Sequence, residues 1–366
     1  MQAYKIIISG GGTGGHIFPA IAIANALKTK FPNVDILFVG AEGKMEMEKV
    51  PAAGYKIIGL PIMGLQRRLT LENLKFPFML LKSMRMAKRI LNEFQPNVVV
   101  GVGGYASGPL LKAATKMKIP ALIQEQNSYP GITNKMLAGK VQKICVAYQG
   151  MEKFFPKDKI VLTGNPVRQD IKNLEAKRER AIEHFELDKN KKTILVIGGS
   201  LGAKTINESI DAGLEKIVDK NMQLLWQTGK WYADKAAKAV EPFQDKHIKT
   251  MPFIAKMDYA YAVADLVISR AGASSISELC IAAKATVFVP SPNVAEDHQT
   301  KNAMALVNQN AALLVKDMEA KNKLVPQVLE VLDDELLLTK LRRNISKMAF
   351  NDSAEIIADE VMKLID

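Results

Sequence analysis

The fold is decided by residues 6–27, which read IIISGGGTGGHIFPAIAIANAL: a β-branched run, then five glycines, then a helical pattern. The same order recurs at residues 194–210, ILVIGGSLGAKTINESI. A strand that enters a glycine turn and then a helix is typical of the first unit of a doubly wound domain. Two such starts predict two such domains. The glycines, with Pro19 and His16, exclude residues 6–27 as a transmembrane helix or signal peptide.

Short β-branched runs alternate with helical patterns along nearly the whole chain. They predict strands at residues 5–9, 35–39, 56–60, 98–102, 121–124, 143–147, 160–163, 193–197, 223–227, 248–251, 266–269, 286–289 and 312–315. Runs that are apolar on both faces are typical of parallel strands covered by helices. The predicted fold class is therefore α/β, with two doubly wound Rossmann-like domains facing a cleft.

The domain boundary is predicted from the residues that interrupt this alternation. Gly164, Asn165 and Pro166 break it, which gives a first domain at residues 1–163 and a second at residues 164–349. A length of 366 residues is enough for two domains. The last helical patterns exceed what the second sheet needs, so we expect a helix at about residues 350–366 to pack back on the first domain.

Composition and charge narrow the class of protein. Hydrophobic residues at 48% and charged residues at 24% exclude disordered and disulfide-scaffold proteins. The two cysteines, Cys145 and Cys280, lie in apolar runs, which suits a reducing compartment such as the cytoplasm. The net charge of +12 is concentrated in residues 1–163, where 22 Lys and Arg oppose 9 Asp and Glu. This half is expected to meet an anionic partner, either a membrane surface or nucleic acid.

The two glycine loops are the candidate ligand sites. Gly10 to Gly15 fit the G-x-G-x-x-G dinucleotide pattern, but the second strand ends in Val39-Gly40, without the acidic residue that holds a ribose. The loop still offers backbone N–H groups to an anion, and His16 lies on it as a candidate base or as a helix cap. The second loop, GGSLG at residues 198–202, could hold a diphosphate through Ser200 or be a plain turn.

No metal or cofactor is expected from the motifs. The chain has no D-x-D pair, and its four histidines do not fall at metal-ligand spacing. If the diphosphate at the second loop is the leaving group of a transfer reaction, its charge would then be neutralised by a helix N-terminus and an arginine. Arg168 is the candidate, and the alternative is an ordinary surface charge. We therefore expect the chemical step to proceed without metal.

Residues 64–91, GLQRRLTLENLKFPFMLLKSMRMAKRIL, form the most membrane-like stretch. Their apolar and basic side chains suit an amphipathic element that lies on an anionic membrane. The residues proposed to contact it are Leu74, Phe76, Phe78, Lys82, Arg85, Lys88 and Arg89. The alternative is a crossover helix with a broad buried face. Nucleic acid is disfavoured as the partner, because the residues between the charges are mostly Met and Leu and not the aromatic residues on which bases stack.

Seven segments together resemble the MurG family of peptidoglycan glycosyltransferases, which have the two-domain GT-B fold. They are GGTGGHIFPA at residues 11–20, VVGVGGYASGP at 99–109, QEQNSYPGITNK at 124–135, GNPVR at 164–168, GGSLGA at 198–203, SRAGASSISEL at 269–279 and DHQTKNA at 297–303. The resemblance implies transfer of GlcNAc from UDP-GlcNAc to lipid I, which gives lipid II and UDP. It implies an acceptor- and membrane-binding first domain and a donor-binding second domain.

The family pattern, carried over by position, implies the site residues. Acceptor binding falls to Gly12, Tyr105 and Asn134. Donor binding falls to Thr13, Gly14, Gly15, Asn127, Arg168, Ser200, Phe253, Ile254, Glu278, His298 and Gln299. Two positions depart from the pattern: Leu201 stands where many members have Gln, and His298 replaces the first of a Gln-Gln pair.

The implied reaction is one inverting displacement in which a base takes the proton of the muramyl 4-hydroxyl. His16 is the expected base and Glu125 the rival. The resemblance implies a peripheral protein on the cytoplasmic face of the inner membrane, with a cell-wall synthesis complex as a further partner. The alternatives left open are another GT-B enzyme, such as a lipid glycosyltransferase or UDP-GlcNAc 2-epimerase, an NAD-dependent oxidoreductase, and a non-catalytic membrane scaffold.

Overall fold

The chain folds into two compact units, seen in a computed structural model that describes residues 4–63, 76–199, 201–294 and 297–365. Unit 1 comprises Met1–Arg168 together with Phe350–Asp366. Unit 2 comprises Gln169–Ala349. Each unit is built on one parallel β-sheet.

The strands of unit 1 are β1 (Tyr4–Ser9), β2 (Val34–Ala41), β3 (Lys56–Leu60), β4 (Val98–Gly101), β5 (Ala121–Glu125), β6 (Lys143–Val146) and β7 (Ile160–Leu162). Its helices up to β6 are α1 (Gly14–Lys30), α2 (Glu46–Ala52), α3 (Phe76–Phe94), α4 (Ser107–Lys116) and α5 (Ile132–Leu137). Within the described residues the sheet order is β3-β2-β1-β4-β5-β6-β7, all parallel. The order reverses between β1 and β4, so the loops that follow these two strands lie side by side.

The strands of unit 2 are β8 (Thr193–Ile197), β9 (Gln223–Gln227), β10 (Ile248–Met251), β11 (Leu266–Ser269), β12 (Ala285–Phe288) and β13 (Leu313–Leu314). The helices are α6 (Arg178–Phe185), α7 (Lys204–Asp211), α8 (Leu214–Asp219), α9 (Ala233–Val240), α10 (Met257–Val263), α11 (Ala273–Ile281), α12 (His298–Val307), α13 (Ala320–Asp333) and α14 (Glu335–Ser346). In the described part of this unit the order is β10-β9-β8-β11-β12-β13, with a reversal between β8 and β11.

The strand residues explain why helices cover the unit 1 sheet on both faces. Side chains alternate in direction along a strand, so Ile7 enters one core and its neighbours Ile6 and Ile8 enter the other. All three side chains are fully buried. A strand with no polar face cannot border solvent, and helices must pack on both sides of it.

The last helix, α15 (Ser353–Met362), returns to unit 1. Ile357 and Val361 share a core with Ile23 and Leu27 of α1. Lys30 Nζ adds an ion pair to Asp359 Oδ1 at 2.5 Å. Unit 1 is therefore assembled from two segments of the chain that unit 2 separates.

The predicted α/β fold class is confirmed. Each predicted strand is present among the described residues, with ends that agree to within two residues. No helix in the described ranges is long and apolar enough to cross a membrane. Two predicted site residues, Leu74 and Ser200, lie outside the described residues.

Candidate active site

The first glycine loop of unit 1, residues 10–13, joins β1 to α1. Gly12 has a φ of +84°, which glycine adopts without a steric penalty. Gly11 has no room for a side chain, since a Cβ atom there would lie 2.1 Å from Glu46 Oε1. The residues expected to reach the donor sugar close the loop and begin α1: Thr13, Gly14 and Gly15. This loop offers a ligand mainly backbone groups.

The loop after β4 packs directly against the first glycine loop. A Cβ atom on Gly104 would lie 2.4 Å from the Gly11 carbonyl oxygen, and one on Gly103 would lie 2.8 Å from His16 Nε2. Ser107 Oγ donates to the Gly103 carbonyl at 2.8 Å, which fixes the turn. Tyr105 projects from this loop with half of its surface exposed, beside Gly12. The structure thus brings Gly12 and Tyr105, which are predicted to bind the acceptor, close to His16.

His16 is oriented by the glycine loop itself. Its Nδ1 atom lies 3.1 Å from the Gly11 carbonyl oxygen and 3.3 Å from Thr13 Oγ1. A carbonyl oxygen only accepts, so this hydrogen bond assigns the proton of the neutral ring to Nδ1. Nε2 is then the unprotonated nitrogen, and it is the atom that can take a proton from a substrate hydroxyl.

Glu125, at the end of β5, supports the loop that follows it. Oε1 accepts from Asn127 N at 3.0 Å and Asn127 Nδ2 at 3.2 Å, while Oε2 accepts from Gly131 N at 3.1 Å and Asn134 Nδ2 at 2.9 Å. Burial raises the pKa of this carboxyl, and the hydrogen bonds from Asn127, Asn134 and Gly131 oppose that rise. With the side chain 2% exposed, this geometry favours a positioning role over the rival-base role.

Two residues of this loop that are predicted to bind ligands, Asn127 and Asn134, differ in burial. Asn134 is buried and its amide nitrogen also donates to the Gln124 carbonyl at 3.2 Å, so its side chain faces the interior. Asn127 is half-buried at the start of the loop. Asn165 of the GNPVR segment accepts from Gln124 Nε2 at 2.9 Å and donates to the Gln126 carbonyl at 3.0 Å. Asn134 therefore helps to hold the shape of the loop, and its contact with the acceptor stays a prediction.

The second glycine loop, residues 198–203, joins β8 to α7 in unit 2. Gly199 and Gly202 have φ of +85° and +80°. A Cβ atom on Gly202 would lie 2.2 Å from the Thr228 carbonyl oxygen, so the loop packs closely on the end of β9. Gln227 Nε2 donates to the Gly199 carbonyl at 3.2 Å, and its Oε1 accepts from Ile254 N at 3.0 Å. Gln227 thus links this loop to the segment that contains Phe253.

The neighbouring residues Phe253 and Ile254 have opposite surroundings. Phe253 is 61% exposed, whereas Ile254 is 1% exposed. The N–H of Ile254 is already bonded to Gln227 Oε1. The Ile254 N–H is therefore engaged within the unit, and the expectation that the backbone around Phe253 and Ile254 binds the donor base stays a prediction.

Four further residues that are predicted to bind UDP-GlcNAc are held by nearby groups or lie at the end of a chain segment. Glu278 on α11 is half-buried, and its Oε2 accepts from Tyr261 Oη at 3.0 Å. Gln299 on α12 uses Oε1 to accept from Ser291 N at 2.8 Å, which directs its amide nitrogen away from that bond. His298 is the half-buried first residue of α12, and Arg168 is the exposed last residue of the first segment of unit 1.

Sequence reasoning missed three residues, of which two hold the glycine loops and the third holds the residues that follow β12. They are Glu46, Gln227 and Arg270. Arg270 Nη1 donates to the Val289 carbonyl at 2.9 Å and pairs with Asp317 Oδ1 at 2.5 Å. A polar residue that directly ends an apolar strand is a signal that could have found Gln227 and Arg270. Glu46 lies among other charges in KMEMEK, and the pattern gives no such signal.

Metal ligands were not expected, and the described ranges contain no group of three or more His, Cys, Asp or Glu side chains placed to hold a metal ion.

Helix α3 presents a basic face with apolar side chains on it. Ser83, Ala87, Ile90 and Leu91 are buried against the unit, whereas Phe78 is 75% exposed and Leu81 57% exposed. The cations beside them are exposed: Lys82, Arg85, Lys88 and Arg89. Phe76, the first residue of the helix, is half-buried. Leu80, Met84, Met86 and Phe94 also pack against the core, so part of the apolar excess that the sequence shows is buried, and Phe78 and Leu81 remain on the surface.

Both units match one family of glycosyltransferases. Residues 6–146 match the glycosyltransferase family 28 N-terminal domain, and residues 193–357 match the family 28 C-terminal domain. The chain belongs to glycosyltransferase family 28. This membership confirms the resemblance, since family 28 supplies the two domains that the sequence predicts.

Similar proteins narrow the family 28 relationship further. A Parabacteroides distasonis protein is 58% identical over 366 residues, covers 100% of both chains, and is named UDP-N-acetylglucosamine--N-acetylmuramyl-(pentapeptide) pyrophosphoryl-undecaprenol N-acetylglucosamine transferase. Acinetobacter baumannii MurG, a crystal structure, is 29% identical with a TM-score of 0.79, over 98% of this chain and 99% of that one. A Neisseria meningitidis UDP-GlcNAc 2-epimerase structure is 16% identical with a TM-score of 0.67, over 98% and 100% of the two chains. This last likeness shows the fold alone.

Proposed function

We propose that this chain transfers GlcNAc from UDP-GlcNAc to the 4-hydroxyl of the muramyl-pentapeptide of lipid I, which gives lipid II and UDP for peptidoglycan synthesis. The observation that carries this proposal is the 58% identity, over all 366 residues, to a relative named for that transfer. A shared fold alone would also allow an epimerase, but the match to this relative covers the full length of both chains. The alternative has no comparable support.

His16 is the group in unit 1 that can accept the hydroxyl proton. As the acceptor oxygen attacks the anomeric carbon, its proton passes to Nε2, and the bond from that carbon to UDP breaks. The ring becomes an imidazolium whose Nδ1–H already donates to the Gly11 carbonyl at 3.1 Å. This hydrogen bond costs no reorganisation during the reaction, because the loop holds it beforehand. Tyr105 and Gly12 lie beside His16 and would contact the acceptor sugar.

Unit 2 supplies the groups that would hold the uracil base and the ribose of the donor. Glu278 can accept from both ribose hydroxyls, since a carboxylate has several acceptor positions and Tyr261 occupies one of them. Gln299, fixed at Oε1 by Ser291 N, can donate its amide hydrogens to a sugar hydroxyl. The exposed Phe253 offers a surface to the base. We assign the diphosphate to Arg168, Ser200 and the second glycine loop, and the sugar also to Thr13, Gly14, Gly15, Asn127 and His298.

Membrane attachment is proposed for α3. The acceptor is a lipid, so the enzyme must reach the anionic cytoplasmic face of the membrane that carries it. The exposed side chains Phe78 and Leu81 can enter the interface while the surrounding cations meet lipid phosphates. Each such cation contributes about 1 kcal/mol near an anionic surface.

The test is a transfer assay with purified protein, radiolabelled UDP-GlcNAc and detergent-solubilised lipid I, run in excess chelator because no metal is expected. Labelled lipid II is the expected product. A parallel reaction without lipid I should leave UDP-GlcNAc unchanged. Conversion of UDP-GlcNAc to its 2-epimer in that control, or label that never enters lipid, would contradict the proposal.

A further inference from the structure

Glu46, the first residue of α2, is a carboxylate buried beneath the first glycine loop. It is 0% exposed. Oε2 accepts from Gly12 N at 2.9 Å, and Oε1 accepts from Ala41 N at 3.0 Å. Two glycines make room for it: a Cβ atom on Gly11 would lie 2.1 Å from Oε1, and one on Gly40 would lie 2.6 Å from Cγ. A charge-bearing group in such a place needs a compensating role, because burying it is costly.

The hydrogen bonds of Glu46 and His16 meet on one peptide group. The N–H of Gly12 and the carbonyl of Gly11 belong to the same amide plane. Glu46 Oε2 accepts from its N–H at 2.9 Å, and His16 Nδ1 donates to its oxygen at 3.1 Å. A carboxylate that accepts from the N–H of an amide increases the negative charge on its oxygen, since linked hydrogen bonds polarise one another.

We propose that Glu46 is a positioning residue for His16 and acts through the Gly11–Gly12 peptide. It fixes the loop so that the Gly11 carbonyl holds Nδ1–H, and it stabilises the imidazolium that forms when Nε2 takes the acceptor proton. The hydroxyl proton goes to Nε2, the Nδ1 proton stays on the ring, and Glu46 takes none. This inference depends on the proposed role of His16 as base.

The variants separate charge from shape. Glu46→Gln keeps the size, but it replaces one acceptor oxygen by a donor that would face a backbone N–H. Glu46→Asp keeps the carboxylate and shortens its reach. Glu48→Gln is the matched control: Glu48 lies two residues along α2, with its side chain 76% exposed and paired with Lys49, and it has the same charge.

The first readout is the pH dependence of kcat. A nearby negative charge favours the imidazolium, so its removal should move the acidic limb of the profile to lower pH. We expect kcat of Glu46→Gln to fall about 10- to 100-fold, as for other carboxylates that support a functional histidine. Glu46→Asp should recover part of this loss, and Glu48→Gln should match the parent. Tyr105, on the neighbouring loop beside Gly12, is the same in the parent and in these variants, so it does not contribute to the difference between their profiles.

The second readout is a double-mutant cycle with His16→Ala. If Glu46 acts through His16, then Glu46→Gln should cause little further loss in the His16→Ala background. An equal loss in both backgrounds would overturn the inference, as would an unchanged acidic limb in a folded Glu46→Gln protein.

A third readout does not need activity and so distinguishes this inference from the proposed function. The titration of the His16 ring, followed by NMR, should move to lower pH in Glu46→Gln even if the parent proves inactive on lipid I. Thermal unfolding checks that the variant folds. If Glu46→Gln does not fold, Glu46→Asp must show the same direction of shift, and an unmoved His16 titration would overturn the inference.

Discussion

His16 is the residue on which the proposed chemistry depends most directly. We predict that His16→Ala lowers kcat by about 10²- to 10⁴-fold, the usual effect of losing a positioned base. UDP-GlcNAc binding, measured by calorimetry, should change little, because the proposed contacts with the uracil base and the ribose lie in unit 2. His247→Asn in unit 2 is a control for general histidine loss, since Asn tolerates the φ of +56° at that position. A variant that keeps kcat but raises KM for lipid I would make His16 a positioning residue.

Glu278 gives a test of the donor site that is independent of His16. Replacement by Ala leaves the ribose hydroxyls and the Tyr261 hydroxyl without their acceptor, which costs about 1–3 kcal/mol. UDP affinity should therefore fall about 5- to 150-fold in calorimetry. Tyr261→Phe keeps the carboxylate and removes only its donor, so a smaller loss is expected. Unchanged UDP binding in Glu278→Ala would remove this residue from the donor site.

Lys284 predicts a pH dependence of the stability of unit 2. Burial, and then the nearby positive charge of Arg342, lower the pKa of this lysine to about 8. The unfolded chain then binds its proton more tightly, so the parent gains stability as pH rises from about 8 to about 10.5. Lys284→Met lacks this pH-dependent gain, so the free energy of unfolding of the variant relative to that of the parent should fall by about 2 kcal/mol between pH 7 and pH 9.5.

The measurement for Lys284→Met is urea unfolding followed by tryptophan fluorescence. Both tryptophans of the chain, Trp226 and Trp231, belong to unit 2, so the signal reports that unit. A difference between variant and parent that does not change with pH would show that Lys284 keeps an ordinary affinity for its proton in the folded chain.

At the level of single elements, α3 carries the membrane prediction. Charge reversal of Lys82, Arg85 and Lys88 to Glu should weaken sedimentation with phosphatidylglycerol vesicles, and added salt should weaken that of the parent. Arg89 is left in place because its Nε pairs with Glu93 at 2.6 Å.

The control for α3 makes the same change of charge on another helix. Reversal of the exposed cations Lys340, Arg343 and Lys347, in and just after α14, should leave vesicle binding almost unaltered. If both triple variants sediment equally, binding depends on net charge and α3 is an ordinary surface helix.

Elements could be predicted from the sequence more completely than the site. The strands were evident because burial on both faces requires continuous apolar runs, as in Ile6, Ile7 and Ile8. The role of Glu46 was not evident from the sequence. Glu46 differs from its neighbour Glu48 in being buried, and this burial depends on how α2 packs beneath the loop that follows β1. Glu125 was identified as polar and near the site, but its four donors come from backbone and side chains whose directions only the folded loop sets.

At the scale of the whole molecule, the return of α15 makes unit 1 depend on a distant segment. Ile357 is fully buried in a core that includes Ile23 and Leu27. Ile357→Ala should destabilise unit 1 by about 2–5 kcal/mol. Ile356→Ala, at a partly exposed neighbour, should stay within about 0.5 kcal/mol of the parent.

Hydrogen exchange can locate that loss. Amides of β1 should exchange faster in Ile357→Ala, while the tryptophan unfolding transition of unit 2 should not move. An equal shift of both signals would show that the two units unfold as one cooperative body.

The divided construction of unit 1 also has a consequence during synthesis. A ribosome makes β1 to β7 first, then all of Gln169–Ala349, and only afterwards the segment that contributes α15. Throughout that interval the surface of α1 that later packs on α15 is uncovered, although all seven strands of the sheet have been made. Unit 2, which is continuous in sequence, can fold before unit 1 is complete. The nascent chain therefore exposes an apolar surface of α1 until α15 has been made.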